Sequence, residues 1–323
     1  MNTKQLKNFV KKSIFIPQDM SGKRLDHCLK KLLPKYSRSR MQEELNVGRI
    51  LLNDKTVKPK YRVMGKEKIS YYFLEQKKDE NLKAENIPLN IVFEDETIMI
   101  INKPAGLIVH PGAGCNSGTL LNGLINYNKV FKTVERAGIV HRLDKNTSGL
   151  MVIAKNAAAR INLINQIKSR SVNREYNAIV LGTILTSKTI STRIGRNIKN
   201  RLKMQVNKTG KEAITHIYVL DHYPGYTHIQ CKLETGRTHQ IRAHLEYIKN
   251  PIVGDPLYNG RRNSVNEMLS EESKTIFKEF NRQALHASAL SFLHPTKKEV
   301  LSFRTPVPED MKNLIEALIK QYR

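Results

Sequence analysis

One run of the chain constrains the rest: Val140-His141-Arg142-Leu143-Asp144-Lys145-Asn146-Thr147-Ser148-Gly149-Leu150, continuing directly into Met151-Val152-Ile153-Ala154. The switch from mixed polar residues to an unbroken apolar run predicts a short strand, a tight polar loop and a buried strand. Asp144 then stands at the mouth of the loop, next to Arg142, pinned between two core elements. A carboxylate held on a rigid scaffold can do chemistry. It can equally cap the turn, because Asp accepts hydrogen bonds from the amides that follow it. The stretch alone leaves both readings open.

Charge narrows the classes. The 323 residues carry 55 Lys/Arg against 29 Asp/Glu, a net +26, and an excess of that size points to a polyanionic partner. It is concentrated: residues 1–78 hold 20 Lys/Arg and 7 Asp/Glu. The three cysteines, Cys28, Cys115 and Cys231, are scattered and form no CxxC pair. Neither a zinc knuckle nor a disulfide framework is supported, and a reducing compartment is expected. No apolar run reaches the ~18 residues that a membrane span needs. Residues 1–12 have no secretory h-region, so a cytoplasmic protein is expected.

Along the chain, residues 1–13 read as a flexible basic lead. Ile14-Phe15-Ile16 is a short strand. Leu25, Cys28, Leu29, Leu32 and Leu33 lie at helical spacing on one face, and Pro34 ends that helix. Ser37 is a suitable cap for a second helix, Arg38 to about Asn46. Arg38 and Arg40 fall in its first turn, against the helix dipole, as if facing a phosphate. Strands follow at 50–53 and 68–73, with a turn at Asn53-Asp54-Lys55. The segments Gly22-Lys23-Arg24-Leu25-Asp26, Ser37-Arg38-Ser39-Arg40, Gly48-Arg49-Ile50-Leu51-Leu52-Asn53 and Val63-Met64-Gly65 resemble those of the S4 RNA-binding domain. Residues 14–74 are taken as that domain, with Lys23, Arg24, Arg38, Arg40 and Arg49 as its RNA-binding candidates. The polar stretch 75–88 cannot bury enough to fold alone and reads as a linker.

Residues 89–323 form a second domain. A hairpin is expected over 91–93 and 98–101. Val109 to Gly114 is a glycine-rich loop before a helix from Thr119 to Tyr127. Its order is not GxxxxGK[ST], so it is no nucleotide P-loop but a loop lining the site. Asn156 caps a helix with a stripe of Ala157, Ile161, Ile164 and Ile167 or Leu163. Strands at 174–180, 189–194, 202–206, 213–220 and 227–233 with few helices between them predict an α+β fold with a mixed, largely antiparallel sheet. Thr238 is the expected cap of the next helix. His239 and His244 do not have the spacing of a helical zinc pair, and no HExxH occurs, so no metal is expected. Residues 260–282 look like an exposed insertion, and Met311 to Ile319 like a closing amphipathic helix.

Three clusters in this order carry a family signature: His141-Arg142-Leu143-Asp144 with Thr147-Ser148-Gly149-Leu150, then Arg174-Glu175-Tyr176, then Thr235-Gly236-Arg237-Thr238-His239-Gln240-Ile241-Arg242. Asn102-Lys103-Pro104, His110-Pro111-Gly112-Ala113-Gly114, Gly254-Asp255-Pro256-Leu257-Tyr258 and Arg282-Gln283-Ala284-Leu285-His286-Ala287 support it. Together they resemble the RluA family of RNA pseudouridine synthases over nearly the whole chain. Asn146 and Ser148 depart from the Asp and Thr often found in relatives, at positions that are not the reactive one.

The resemblance implies an isomerase that turns uridine into pseudouridine without cofactor or metal. It implies Asp144 as the essential carboxylate, Arg237 as the guanidinium that keeps it ionised, and Tyr176 as a flat face and proton-carrying hydroxyl for the base. Arg142 would enter the stack that the flipped uridine vacates. Leu150 and Ile241 would form the apolar pocket wall, with His141 and His239 in supporting positions. The implied partner is a stem-loop of large-subunit ribosomal RNA, or a pre-ribosomal particle, met by a monomer. A non-catalytic RNA-binding assembly factor, or the same chemistry on other rRNA or tRNA uridines, is the competing reading.

Overall fold

A computed structural model describes residues 9–33, 36, 38–74, 83–112, 115–258, 267 and 269–322. The chain divides into two compact units, 1–82 and 83–323.

The first unit is built on an antiparallel sheet ordered β1-β3-β2, from strands β1 (Phe9–Phe15), β2 (Ile50–Leu52) and β3 (Lys68–Leu74). Helices α1 (Leu25–Leu32) and α2 (Arg38–Asn46) supply the other half of its core. Leu25, Cys28 and Leu29 of α1 meet Met41 and Leu45 of α2 and Ile50 and Ile69 of the strands. The helical spacing seen in the sequence is therefore the buried face. The basic lead is shorter than expected: residues 9–13 pair with β3 from Phe9↔Leu74 to Ser13↔Ser70, and residues 1–8 lie outside the described residues. The proposed cap Ser37 and the helix stop at Pro34 also lie outside them. Asn53 and Asp54, both at positive φ, close the expected turn, and Leu52 N–H donates to Lys55 O at 2.9 Å.

The expected linker contracts too. Residues 75–82 are outside the described set, whereas 83–88 belong to the second unit. Helix α3 (Leu120–Tyr127) ties them down: Asn122 Nδ2 donates to Lys83 O at 2.8 Å, and Glu85 N–H donates to Asn122 O at 3.2 Å. Buried Asn122 satisfies backbone that composition alone suggests is solvated.

The second unit carries a mixed ten-stranded sheet. Its strands are β4 (Ile91–Glu94), β5 (Ile98–Lys103), β6 (Ser148–Ala154), β7 (Asn173–Leu181), β8 (Lys188–Arg196), β9 (Met204–Val206), β10 (Lys211–Tyr223), β11 (Tyr226–Leu233), β12 (Leu285–Leu293) and β13 (Val300–Arg304). The order is β4-β5-β6-β12-β7-β11-β10-β8-β9, with β13 on β12. The β6–β12 pair is parallel, and every other pairing is antiparallel. All seven residues of β6 are buried, which is why 150–154 reads as continuous apolar sequence. The strand expected before the loop reduces to one bridge, Ile139↔Ile153.

Helix α4 (Ala157–Lys168) covers one face of β6, capped as expected by Asn156, which accepts from Ala159 N–H at 2.9 Å. Its buried stripe differs from the expected one. Ala159 and Leu163 face Leu150, Val152 and Ala154, with Ile167 beside them, and Ile161 is exposed. Aliphatics at 161, 163, 164 and 167 leave the helix phase undetermined in sequence; the cap at Asn156 sets it. Helix α5 (Gln240–Tyr247) starts after His239, at φ 52, so Thr238 is not its cap. Of the expected exposed insertion 260–282, the part from 269 on is not simply exposed: α6 (Glu271–Glu279) buries Phe277, whose ring lies 4.9 Å from that of Tyr226. Helix α7 (Glu309–Tyr322) closes the chain. Among the described residues no helix is long and apolar enough to cross a membrane.

Candidate active site

The Asp144 loop crosses the central strands where β6, β12 and β7 run side by side, and it folds back on β6. Val152 N–H donates to His141 Nε2 at 3.1 Å, so the ring proton sits on Nδ1. Burial, with Arg174 adding to it, pushes the His141 pKa down to about 3, so the imidazole stays neutral. Thr147 N–H closes the turn on Asp144 O at 3.1 Å.

Buried side chains then hold the loop one residue at a time. Lys103, 1% exposed, donates to Lys145 O at 3.0 Å and also to the carbonyls of Pro104 and Leu107. Arg282 reaches Asn146 O at 3.4 Å, Gln283 Nε2 donates to Thr147 Oγ1 at 3.0 Å, and Ser148 Oγ lies 2.8 Å from His286 Nδ1. Gly149, at φ 118, lets the chain pass β12: a Cβ there would meet Ala287 O at 2.3 Å.

The guanidinium on Asp144 is that of Arg242, not Arg237. Arg242 Nη1 donates to Asp144 Oδ2 at 2.9 Å, while Nε and Nη2 make a bidentate pair with Asp255 at 2.7 and 2.9 Å. Its Cζ lies 4.8 Å from the centre of the Tyr258 ring. Two carboxylates, Asp144 and the fully buried Asp255, thus share one planar cation. Arg237 lines the same pocket, but its Nε donates to Glu212 O at 2.8 Å. The reason is helix phase. Because α5 begins at Gln240, Arg242 lies in its first turn and reaches Asp144 and Asp255, whereas Arg237 stays on the preceding loop.

His239 Nε2 is 3.8 Å from Asp144 Oδ2, and His239 Nδ1 is 3.0 Å from Tyr258 Oη. Met204 N–H donates to the same hydroxyl at 2.7 Å. Burial lowers the His239 pKa against the opposing pull of Asp144, keeping the ring neutral.

Around these groups lies an open cavity of about 540 Å³. Tyr176, buried on β7, lines it, and burial raises its phenol pKa, with Asp144 adding to the rise. Ile241 is part of the wall, as expected. Leu150 is not: it packs with Ile98, Val152 and Leu290 on the α4 side of the sheet. Leu143 and Leu285 take its place. Arg142 is exposed at the rim. His110, from the glycine-rich loop, also lines the cavity; burial, Arg136 and Arg142 push its pKa down to about 4.

The basic candidates of the first unit prove to be partly engaged. Asp26 is fully buried and accepts from Arg24 at 3.0–3.1 Å, from Arg38 at 2.8–3.0 Å and from Gln42 at 2.6 Å. Burial works to raise its pKa, but these donors hold it well below the ordinary carboxylate value. Arg49 pairs with Glu44. Lys23 is exposed, its Nζ donating to Asp19 O at 3.0 Å. The Arg40 side chain lies outside what is described.

Sequence reasoning gave no role to Arg242, Asp255, Tyr258, Lys103 or Arg174. The usable signal for Arg242 was its setting: Ile241, Ala243 and Leu245 around it mark a helix buried on all sides, where a cation requires carboxylates.

Residues 97–247 match the RNA pseudouridylate synthase family model, and residues 23–69 match the S4 domain. A Neisseria meningitidis protein named ribosomal large subunit pseudouridine synthase D is 45% identical over 94% of this chain and 80% of its own length. The Escherichia coli K12 protein of the same name is 42% identical over 94% and 93%. The solved structure of human RNA pseudouridylate synthase domain containing 1 aligns over 73% of this chain and 96% of its own, with a TM-score of 0.53 and 26% identity. With this similarity extending across both units and a pocketed aspartate pinned by Arg242, the chain belongs to the RNA pseudouridine synthase family and is an isomerase of uridine in RNA.

Proposed function

We propose that the protein converts uridines of large-subunit ribosomal RNA to pseudouridine, with Asp144 as its essential carboxylate. The observation that carries the reading is the Asp144–Arg242–Asp255 arrangement on the floor of a cavity that Tyr176 also lines. The name shared by relatives at 41–45% identity supports the ribosomal substrate.

The target uridine flips out of its stem-loop, at an unstacking cost of a few kcal/mol. Arg142, exposed at the rim and in no ion pair among the described residues, is free to fill the vacated stack with its planar guanidinium. The base enters beside Tyr176, the C1′–N1 bond breaks, the uracil turns, and a C1′–C5 bond replaces it. Arg242 Nη1 holds Asp144 Oδ2 at 2.9 Å throughout, and His239 Nε2 stands 3.8 Å from the same oxygen. The S4 unit supplies salt-dependent phosphate contacts that orient the RNA. Lys23 and the outward edges of Arg24 and Arg38 provide them, while Asp26 fixes the direction of those two arginines. The protein works as a monomer in the cytoplasm.

Mapping pseudouridines in large-subunit rRNA from cells with and without the gene tests this. A small set of positions should revert to uridine and return when the gene is restored. An unchanged map excludes the ribosomal substrate.

A further inference from the structure

Three arginines of the second unit are equally buried, each 6% exposed: Arg174, Arg242 and Arg282. Arg242 holds Asp144 and Asp255, and Arg282 holds Asp310 through two bonds of 2.6 and 2.7 Å. Arg174 has no carboxylate within ion-pair distance among the described residues. Its one hydrogen bond there runs from Nη2 to Glu234 O at 3.4 Å, near the limit for such a bond. Its Nε is buried without a partner. Removing a guanidinium from water without an anion is unfavourable, and folded proteins retain such a group where a ligand completes it.

Position identifies the ligand. Arg174 and Tyr176 are alternate residues of β7 whose side chains lie on one face, and both line the cavity that Asp144 enters. Gly236 leaves the guanidinium its place, since a Cβ there would lie 2.7 Å from Nη1. The cation also acts on its surroundings, adding to the burial that lowers the His141 pKa and opposing the burial that raises that of Tyr176. A phosphate stays on the RNA backbone at the rim, so the anion reaching this depth is the base itself.

We propose that Arg174 is a catalytic residue that binds the uracil anion released during isomerisation. This rests on the proposed reading of the cavity as the uridine site. When the C1′–N1 bond breaks, its electron pair leaves with the base, and the charge spreads over N1, O2 and O4. Arg174 pairs with a carbonyl oxygen of that anion while the ring turns. C5 then bonds to C1′, the C5 proton is lost, and N1 takes up a proton, so product and substrate are isomers and the cation is unchanged. An uncompensated cation before the reaction, matched only once the charge has developed, favours the transition state over the ground state.

The test uses the full chain in single turnover on an RNA stem-loop carrying either uridine or 5-fluorouridine at the target, with the rate read as consumption of that nucleotide. Fluorine stabilises the detached base anion by itself. Arg174→Gln should slow uridine by on the order of 100-fold, with RNA affinity within about threefold. For 5-fluorouridine the loss should shrink to under about 10-fold. Should Arg174→Gln not fold, Arg174→Lys carries the same comparison, keeping the charge on a shorter reach. Equal slowing of both nucleotides, or a loss confined to RNA affinity, overturns the proposal. Failure of the wild-type protein to convert uridine overturns the site reading instead.

Discussion

Arg242 stands between two carboxylates, and removing it separates the present account from the sequence expectation that Arg237 does its work. In Arg242→Gln, three charge-assisted hydrogen bonds and the contact with the Tyr258 ring are lost. Asp255 retains the N–H groups of Leu257 and Tyr258 at 3.0 and 3.1 Å but no cation. Breaking a buried pair from one side costs about 3–5 kcal/mol. In a unit of this size that lowers Tm by roughly 6–20 °C, taking about 2–4 °C per kcal/mol. Asp144 loses its only guanidinium among the described residues, so single-turnover conversion should fall by at least about 100-fold even below the melting range. Arg237→Gln gives up one bond to a backbone carbonyl and should lose at least about tenfold less rate, with Tm changed by no more than about 2 °C. Calorimetry and single-turnover kinetics on both variants decide the matter. An Arg242→Gln protein that melts like wild type and reacts within about threefold of its rate refutes the assignment.

Three further outcomes follow from the same contacts. Burial pushes the Lys103 pKa down to about 7, below its ordinary 10.5. The unfolded chain therefore binds more protons between about pH 7 and 10.5, and stability gains a contribution that rises with pH over that window. Denaturant titrations across the window should show this rise in wild type and lose it in Lys103→Met. Gly149→Ala, whose Cβ would strike the Ala287 backbone at 2.3 Å, should cost about 4 kcal/mol or more in the second unit by the same assay. Asp26→Asn should destabilise the first unit by about 2–3 kcal/mol, the cost being limited because Arg24 and Arg38 are half exposed. Since the Asp26 pKa is depressed on folding, this stabilisation is present above the ordinary aspartate value and lost as pH falls below it. Fluorescence-monitored melting of variant and wild type should converge in acid.

Much of the fold was legible because period and burial agree. The 25/28/29 spacing and the six residues from Gly149 to Ala154 that follow Ser148 in β6 each leave one physical solution. Asp144 was singled out by the family resemblance, because its setting in a polar loop before a buried strand fits a turn cap as well. What stayed hidden depends on where elements begin. His239 in the left-handed region, rather than Thr238, starts α5, and that shift separates Arg242 from Arg237. Leu150 looked like pocket wall because it adjoins the loop, yet strand alternation sends it to the α4 side. Residues 83–88 looked solvated because their partner, Asn122, is remote in sequence and only the fold brings it near. Arg174 was read as part of a motif, and nothing in the sequence says that its charge goes unmatched.

On the proposed reading, the loop holds the Asp144 carboxylate against a flipped uridine. Asp144→Asn keeps size and hydrogen bonding and removes the charge. The decisive measurement is pseudouridine mapping of large-subunit rRNA from cells in which that variant is the sole copy. The sites supplied by the wild-type protein should remain uridine while the variant protein is present and folded. Pseudouridine persisting at those sites would contradict that reading.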